Sequence, residues 1–196
     1  MTTVQIYRWL QWRVSWLWIP ACAALVLVTD RVWQNHLPRI FDLSNLSTKG
    51  TTSLLVYSKG PSGEVQLLER LNRVTHPGDQ VRFVISAVPD ESSFVLVASV
   101  DAAGKASIYF PYAGKESAAL PGPGRWEVPG SVLLDEVLGP ERVFAFFSPL
   151  PIDAEVVQRE LLELGQRGSD AIRDTTSVDV PGTTQRSFLL FRVPRP

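Results

Sequence analysis

The chain has 196 residues, with 19 basic and 20 acidic side chains and a formal net charge of -1. That balance excludes a global electrostatic drive toward nucleic acid, and the basic residues are scattered, with no stripe to follow a phosphate backbone. Hydrophobic residues make up 45%, enough for a real core, so disorder is not the default. Cysteine is represented only by Cys22 and histidine only by His36 and His76. No intrachain disulfide can form and no soft-ligand set for zinc exists, so neither a metal nor a cofactor is expected.

In chain order, residues 1–13 are expected to form a cytoplasmic tail and residues 14–29 a transmembrane helix. Val14 to Val28 reads VSWLWIPACAALVLV, without a charge. As a helix this run is about 22 Å long, short against a hydrocarbon core of about 30 Å. Its flanks compensate. Trp9, Trp12, Trp16 and Trp18 suit the headgroup region, and Arg13 can snorkel. Arg8, Arg13 and the terminal amine precede the run with no acid among them, and Asp30 follows it. The positive-inside bias then keeps the N-terminus in the cytoplasm. The expected location is a bacterial inner membrane, crossed once, with the C-terminal domain in the periplasm.

Two processing alternatives stay open. Ala21-Cys22-Ala23 offers a small-residue cleavage site, and Cys22 offers an acylation site. Against both, apolar residues continue to Val28, and Pro20 fits a lipoprotein pattern poorly. A buried soluble helix would instead have to cover four tryptophans and tolerate Pro20 in its interior. Residues 30–50 hold Val32, Trp33, Leu37, Ile40, Phe41, Leu43 and Leu46, too many apolar residues for a free linker. They read as a membrane-proximal connecting segment that packs on the domain.

Residues 51–196 are expected to be mainly β, a β-sandwich with one packed α-helix. Ser53–Tyr57 and Glu64–Leu68 flank the turn Gly60-Pro61-Ser62-Gly63 and form a hairpin candidate. Pro77-Gly78-Asp79 turns into Gln80–Ser86, where Val81, Phe83 and Ile85 alternate with Arg82 at the period of a half-buried strand. Ser93–Val100 is continuously apolar and suits a central strand. Asp101-Ala102-Ala103-Gly104 turns the chain into Lys105–Phe110, with Asp101 capping and Gly104 taking positive φ. Trp126–Val128 and Ser131–Leu134 read as short edge pieces, and Arg142–Ser148 and Ser187–Val193 as strong strands. A helix begins at Asp153 as N-cap. Val157, Leu161 and Leu164 form its apolar stripe, and Gly165 is its expected stop. Ser169 is expected to cap a second short helical turn.

Several of these motifs recur in a fixed order: Gly78-Asp79-Gln80-Val81-Arg82-Phe83, Phe94-Val95-Leu96-Val97, Asp101-Ala102-Ala103-Gly104, Tyr109-Phe110-Pro111, and Gly139-Pro140-Glu141. The order resembles an uncharacterised bacterial β-sandwich family, a domain of unknown function that accompanies membrane-tethered signalling and envelope proteins. The resemblance covers residues 51–150 and departs from the family at Phe94, where a tyrosine is usual. It implies a β-sandwich and an envelope setting, and it carries no catalytic residues.

The chemistry of the domain points the same way. There is no G-x-S-x-G, H-E-x-x-H or phosphate-binding glycine loop. A serine nucleophile would need a base, and the only domain histidine, His76, lies in a turn. Asp79, Asp90, Glu91 and Asp101 lack the dense spacing of a calcium loop. An enzyme is therefore not expected. The best binding-surface candidate is Tyr109, Phe110, Tyr112 and Trp126, flat rings of the kind used in peptide and glycan sites. The competing and stronger reading is that these rings fill the core or cover a sheet edge. The expected function is a non-catalytic, membrane-anchored envelope module that binds a protein partner. The alternative is a glycan- or peptidoglycan-binding module that uses the aromatic loop. A tail of residues 1–13 houses no signalling domain, so any signal would pass through the partner.

Overall fold

The computed structural model describes residues 52–87, 92–122 and 124–196. The expected tail (1–13), transmembrane anchor (14–29), connecting segment (30–50) and interface residues Trp9, Trp12, Arg13, Trp16 and Trp18 lie outside the described residues. Among the described residues no helix is long and apolar enough to cross a membrane.

The domain is built from two sheets and a helical layer. The first sheet has the order β2-β1-β4-β8, with β9 also on β4; the strands are β1 (Ser53–Lys59), β2 (Val65–Leu68), β4 (Gln80–Ala87), β8 (Gly124–Glu127) and β9 (Val132–Leu133). The second has the order β3-β11-β10-β5-β6, with β7 also on β5. Its strands are β3 (Val74–Thr75), β5 (Phe94–Val100), β6 (Ala106–Phe110), β7 (Ala118–Ala119), β10 (Gly139–Ser148) and β11 (Thr184–Arg192). Helices α1 (Ala154–Gln166) and α2 (Ser169–Asp174) lie between β10 and β11 in the chain.

Period-2 alternation divides the apolar residues into two cores. Between the sheets, Val56, Val81, Phe83 and Ile85 meet Val95, Val97, Val143, Ala145, Phe147 and Leu190. On the other face of the second sheet, Leu96, Ala98, Val100, Phe144 and Phe146 meet Val157, Leu161 and Leu164 of α1 and Ile172 of α2. Strands β5 and β10 are therefore buried on both faces, which is why their sequences are continuously apolar rather than alternating. In the first sheet β4 keeps its alternation: Val81, Phe83 and Ile85 point inward, and Arg82 pairs with Glu127 on the neighbouring strand.

Turn chemistry follows the sequence reading closely. The Asp101 carboxylate accepts from the Ala103 amide at 2.9 Å and the Lys105 amide at 3.0 Å, and Gly104 has φ +77°. Asp79 accepts from the His76 amide at 2.9 Å, closing the turn before β4. Asp153 caps α1 by accepting from the Glu155 amide at 2.8 Å.

Two helix-end expectations need correction. Gly165 does not stop α1, which continues to Gln166. Its role is steric: a Cβ at Gly165 would stand 2.5 Å from the Gly104 carbonyl oxygen and 2.7 Å from the Gly104 Cα. The last turn of α1 thus lies directly on the β5–β6 turn, and backbone meets backbone there. Ser169 is the first residue of α2 rather than its cap; Gly168 holds the cap position, with no side-chain hydrogen bond.

Because Gly165 is helical, alanine would fit its φ and ψ, and any cost must come from the crowding itself. Gly165→Ala is expected to destabilise the domain by about 1–3 kcal/mol, the range for an overpacked contact, read as a lowered Tm. An unchanged Tm would mean that α1 can lift from the β5–β6 turn at no cost.

Candidate functional site

Of the four aromatic residues singled out from the sequence, the structure brings Phe110, Tyr112 and Trp126 into one cluster. Phe110 stands edge-on to Trp126 at 5.3 Å and to Tyr112 at 6.2 Å between ring centroids. Tyr109 instead stacks on Phe83 at 5.8 Å, between the sheets. The cause is a register shift. Val97 pairs with Phe110 but Ala98 pairs with Ile108, so Tyr109 is the extra residue of a β-bulge. A bulge breaks alternation, and consecutive residues Tyr109 and Phe110 both pack on the inter-sheet core. Trp126, opposite Ile85 on β4, is half-buried against the same core. Only Tyr112 presents a largely exposed ring, 56% accessible. Its hydroxyl donates to the Pro129 carbonyl at 2.6 Å.

A second group draws in Tyr109 together with charged residues that the sequence did not single out as a site. Glu141 is 1% exposed and Arg192 3% exposed, and both point into the sandwich. Glu141 is two residues before the inward Val143, and Arg192 two residues after the inward Leu190. The Arg192 guanidinium is paired through Nη2 with the Glu141 carboxylate and through Nη1 with Asp135. Tyr109 donates its hydroxyl to the other Glu141 oxygen. In the sequence Glu141 stands out only as the last residue of the Gly139-Pro140-Glu141 motif. Nothing local distinguishes an inward from an outward charge there, because its partners are 32 and 51 residues away.

Burial, reinforced by the adjacent Glu141 carboxylate, raises the Tyr109 phenol well above its ordinary value. The phenol therefore stays protonated and serves as a hydrogen-bond donor.

The cluster reaches the surface through one loop. Arg192 Nη1 also donates to the carbonyls of Val137 at 3.0 Å and Asp135 at 3.2 Å. From the other sheet, the Leu134 amide donates to the Asp79 carbonyl at 2.9 Å, and the Gly78 amide to the Leu134 carbonyl at 2.9 Å. Asp79 in turn is paired with Arg195 at 2.8 Å, and His76 Nδ1 lies 3.1 Å from the Val193 carbonyl. The β9–β10 loop is thus tied to both sheets at one end of the sandwich. Leu133 and Leu138, on either side of it, are 65% and 46% exposed, and Val74 at the same end is 47% exposed. Register fixes the shared location: Leu133 is opposite Gln80, Gly139 is opposite Arg192, and Arg192 is opposite Thr75. The chain enters β1 at the other end, where Ser53 is opposite Ser86.

Among the described residues no group of three or more His, Cys, Asp or Glu side chains could hold a metal ion. Comparison of the chain with protein-family models, with curated proteins and with solved structures gives no match.

Two outcomes follow for the buried cluster. Arg192→Met leaves the Glu141 carboxylate buried beside a neutral side chain and should cost about 3–5 kcal/mol. Adding Glu141→Gln should restore part of that loss in urea unfolding; a double variant no more stable than Arg192→Met would show that the charge pair is not the source. Tyr109 supplies a pH signature. Its folded-state pKa lies above the unfolded one, so its contribution is complete below about pH 10 and declines as pH rises past that value. Stability measured between neutral and strongly alkaline pH should fall less steeply in Tyr109→Phe than in the native chain.

Proposed function

We propose that this chain is a non-catalytic, membrane-anchored envelope module that binds a protein partner through the end of the sandwich opposite the start of β1. The observation that carries this reading is the position of exposed Leu133, Leu138 and Val74, at the end opposite the start of β1. Exposed apolar residues held on a rigid loop suit association, because little conformational entropy is lost when a partner covers them. The loop is held rigid by Arg192 from below and by Asp79 and Gly78 from the side.

The apolar run at residues 14–28, its tryptophan flanks and its charge bias support a bacterial inner-membrane location with the domain in the periplasm. The ordered motifs from Gly78 to Glu141 support a place among the envelope-associated β-sandwich domains that they resemble. The acid–base groups nearest the core, Glu141, Tyr109 and Arg192, are engaged with one another, an arrangement suited to holding structure rather than turning over a substrate.

The test is affinity purification of the tagged full chain from detergent-solubilised membranes. The native chain should retain a protein in stoichiometric amount, and Leu133→Asp with Leu138→Asp should release it while the membrane fraction still contains the variant. Failure to retain a stoichiometric partner, or retention unchanged by the two substitutions, would sink this reading. The glycan reading rests on the exposed Tyr112 ring. It requires cell-wall sedimentation that Tyr112→Ala and Trp126→Ala abolish.

A further inference from the structure

On the outer face of the second sheet, beside α2, lies an open cavity of about 560 Å³. Arg70 and Arg73 from the β2–β3 turn, Arg142 from β10 and Arg173 from α2 line it, with Asp174 at its rim. The turn and the helix are separated by about two-thirds of the domain's sequence. Only the sheet brings these four guanidinium groups together: β3 lies beside β11, and β11 beside β10.

Their charges are poorly compensated. Arg142 is nearly buried. It donates from Nε to the Ile172 carbonyl at 2.7 Å, from Nη1 to the Ser187 hydroxyl at 3.3 Å, and from Nη2 to the Arg173 carbonyl. These partners are neutral. Among the described residues no carboxylate forms an ion pair with Arg142, Arg70 or Arg73. Arg173 is paired with Asp170 at 3.2 Å. Four cations against Asp170 and Asp174 leave an excess of two positive charges.

The bland reading is that Arg142 merely holds the final carbonyls of α2, which lack helical partners. That accounts for two of its five N–H groups, and the Ser187 hydroxyl takes a third. It does not account for Arg73, whose Nε donates to the Arg70 carbonyl at 2.7 Å and whose guanidinium is thereby held at the cavity. Burial, with Arg73 as the second cause, pushes the Arg142 guanidinium below its ordinary value, and Asp174 opposes the shift. Like charges gathered along one groove repel one another, and a bound anion would reverse the sign of the interaction.

We propose that this groove is a binding site for a phosphate-type oxyanion, with Arg142 as its buried floor and Arg70 and Arg73 as its outer wall. A phosphate monoester carries about -1.5 to -2 charges near neutral pH, which matches the excess of two; a single carboxylate would leave half of it uncompensated. Planar guanidinium forks also match the oxygen spacing of phosphate in bidentate contacts. The groove shares no lining residue with the β9–β10 loop, and the proposal does not depend on that loop's role.

The shared chemistry of the ligand is the phosphate group, carried by a soluble ester or by a lipid headgroup. The experiment is calorimetric titration of the purified full chain in detergent with inorganic phosphate at constant ionic strength, with acetate as the comparison anion. Saturable phosphate binding is expected, with acetate much weaker. Arg70→Gln together with Arg73→Gln, at accessible positions outside both cores, should weaken phosphate binding about tenfold, roughly the loss of one charge-assisted hydrogen bond. Arg142→Gln is not relied on, because it also releases α2. No saturable phosphate binding, acetate binding as tightly as phosphate, or a double variant that binds normally would each overturn the proposal. Flotation with phosphatidylcholine vesicles, with and without phosphatidic acid, separates the sources. Once phosphate binding is established, retention that requires both phosphatidic acid and the two arginines supports the lipid form of the site. Its absence supports the soluble form.

Discussion

The domain depends on the burial of β5 and β10 on both faces. Their inward residues, among them Val95, Val97, Val143, Ala145 and Phe147, close the sandwich, while Leu96, Ala98, Phe144 and Phe146 face the helices. A sheet with two apolar faces is unstable in water unless both are covered. The chain meets that demand by placing α1 and α2 between β10 and β11, so the helical layer lands on the sheet its flanking strands belong to. The contact is close enough at one point to require glycine on both sides. Gly104 needs positive φ to make its turn, and Gly165 needs to lack a Cβ to rest on it.

Against that apolar frame, the charges drawn inward are arranged with partners. Glu141 and Arg192 continue the inward alternation of their strands past Val143 and Leu190 into the end of the inter-sheet core. An isolated charge there would be expensive. Each answers the other, and Tyr109 and Asp135 take up further hydrogen-bonding capacity. A buried pair of this kind is weak evidence for net stability, because removing both charges can cost little. Its clearer consequence is positional. Arg192 is the link through which the core holds the β9–β10 loop, and so the exposed leucines at its two ends. The groove beside α2 contrasts with it: there a buried guanidinium meets neutral carbonyls and a hydroxyl, and the excess charge faces an open cavity.

Much of the fold was legible because it rests on local chemistry. The Gly60–Gly63 turn, the Asp101 and Asp79 side-chain caps and the Asp153 N-cap each satisfy backbone groups within a few residues of themselves. The alternation of Val81, Phe83 and Ile85, and the Val157, Leu161, Leu164 stripe, are equally local, since each is a period written along one element. The aromatic set was only partly legible. Tyr109 and Phe110 occupy the same face because of a bulge, and a bulge depends on how β5 pairs with β6 rather than on either strand alone. Gly165 misled for a related reason: glycine near a helix end ordinarily marks a C-cap, and only the approach of Gly104, 61 residues earlier in the chain, shows its steric role.

The sequence by itself therefore determined the element types, the turns and which faces of β4 and α1 are apolar, because these depend on residue spacing and on hydrogen bonds between near neighbours. Only the tertiary structure decided that Glu141, Tyr109, Arg192 and Asp135 form one cluster, and that Arg70, Arg73, Arg142 and Arg173 line one cavity. The physical reason is common to both. Strand pairing and sheet stacking bring distant residues within hydrogen-bonding or Coulombic range, and neither the partner strand nor its register is written in the spacing of any single segment.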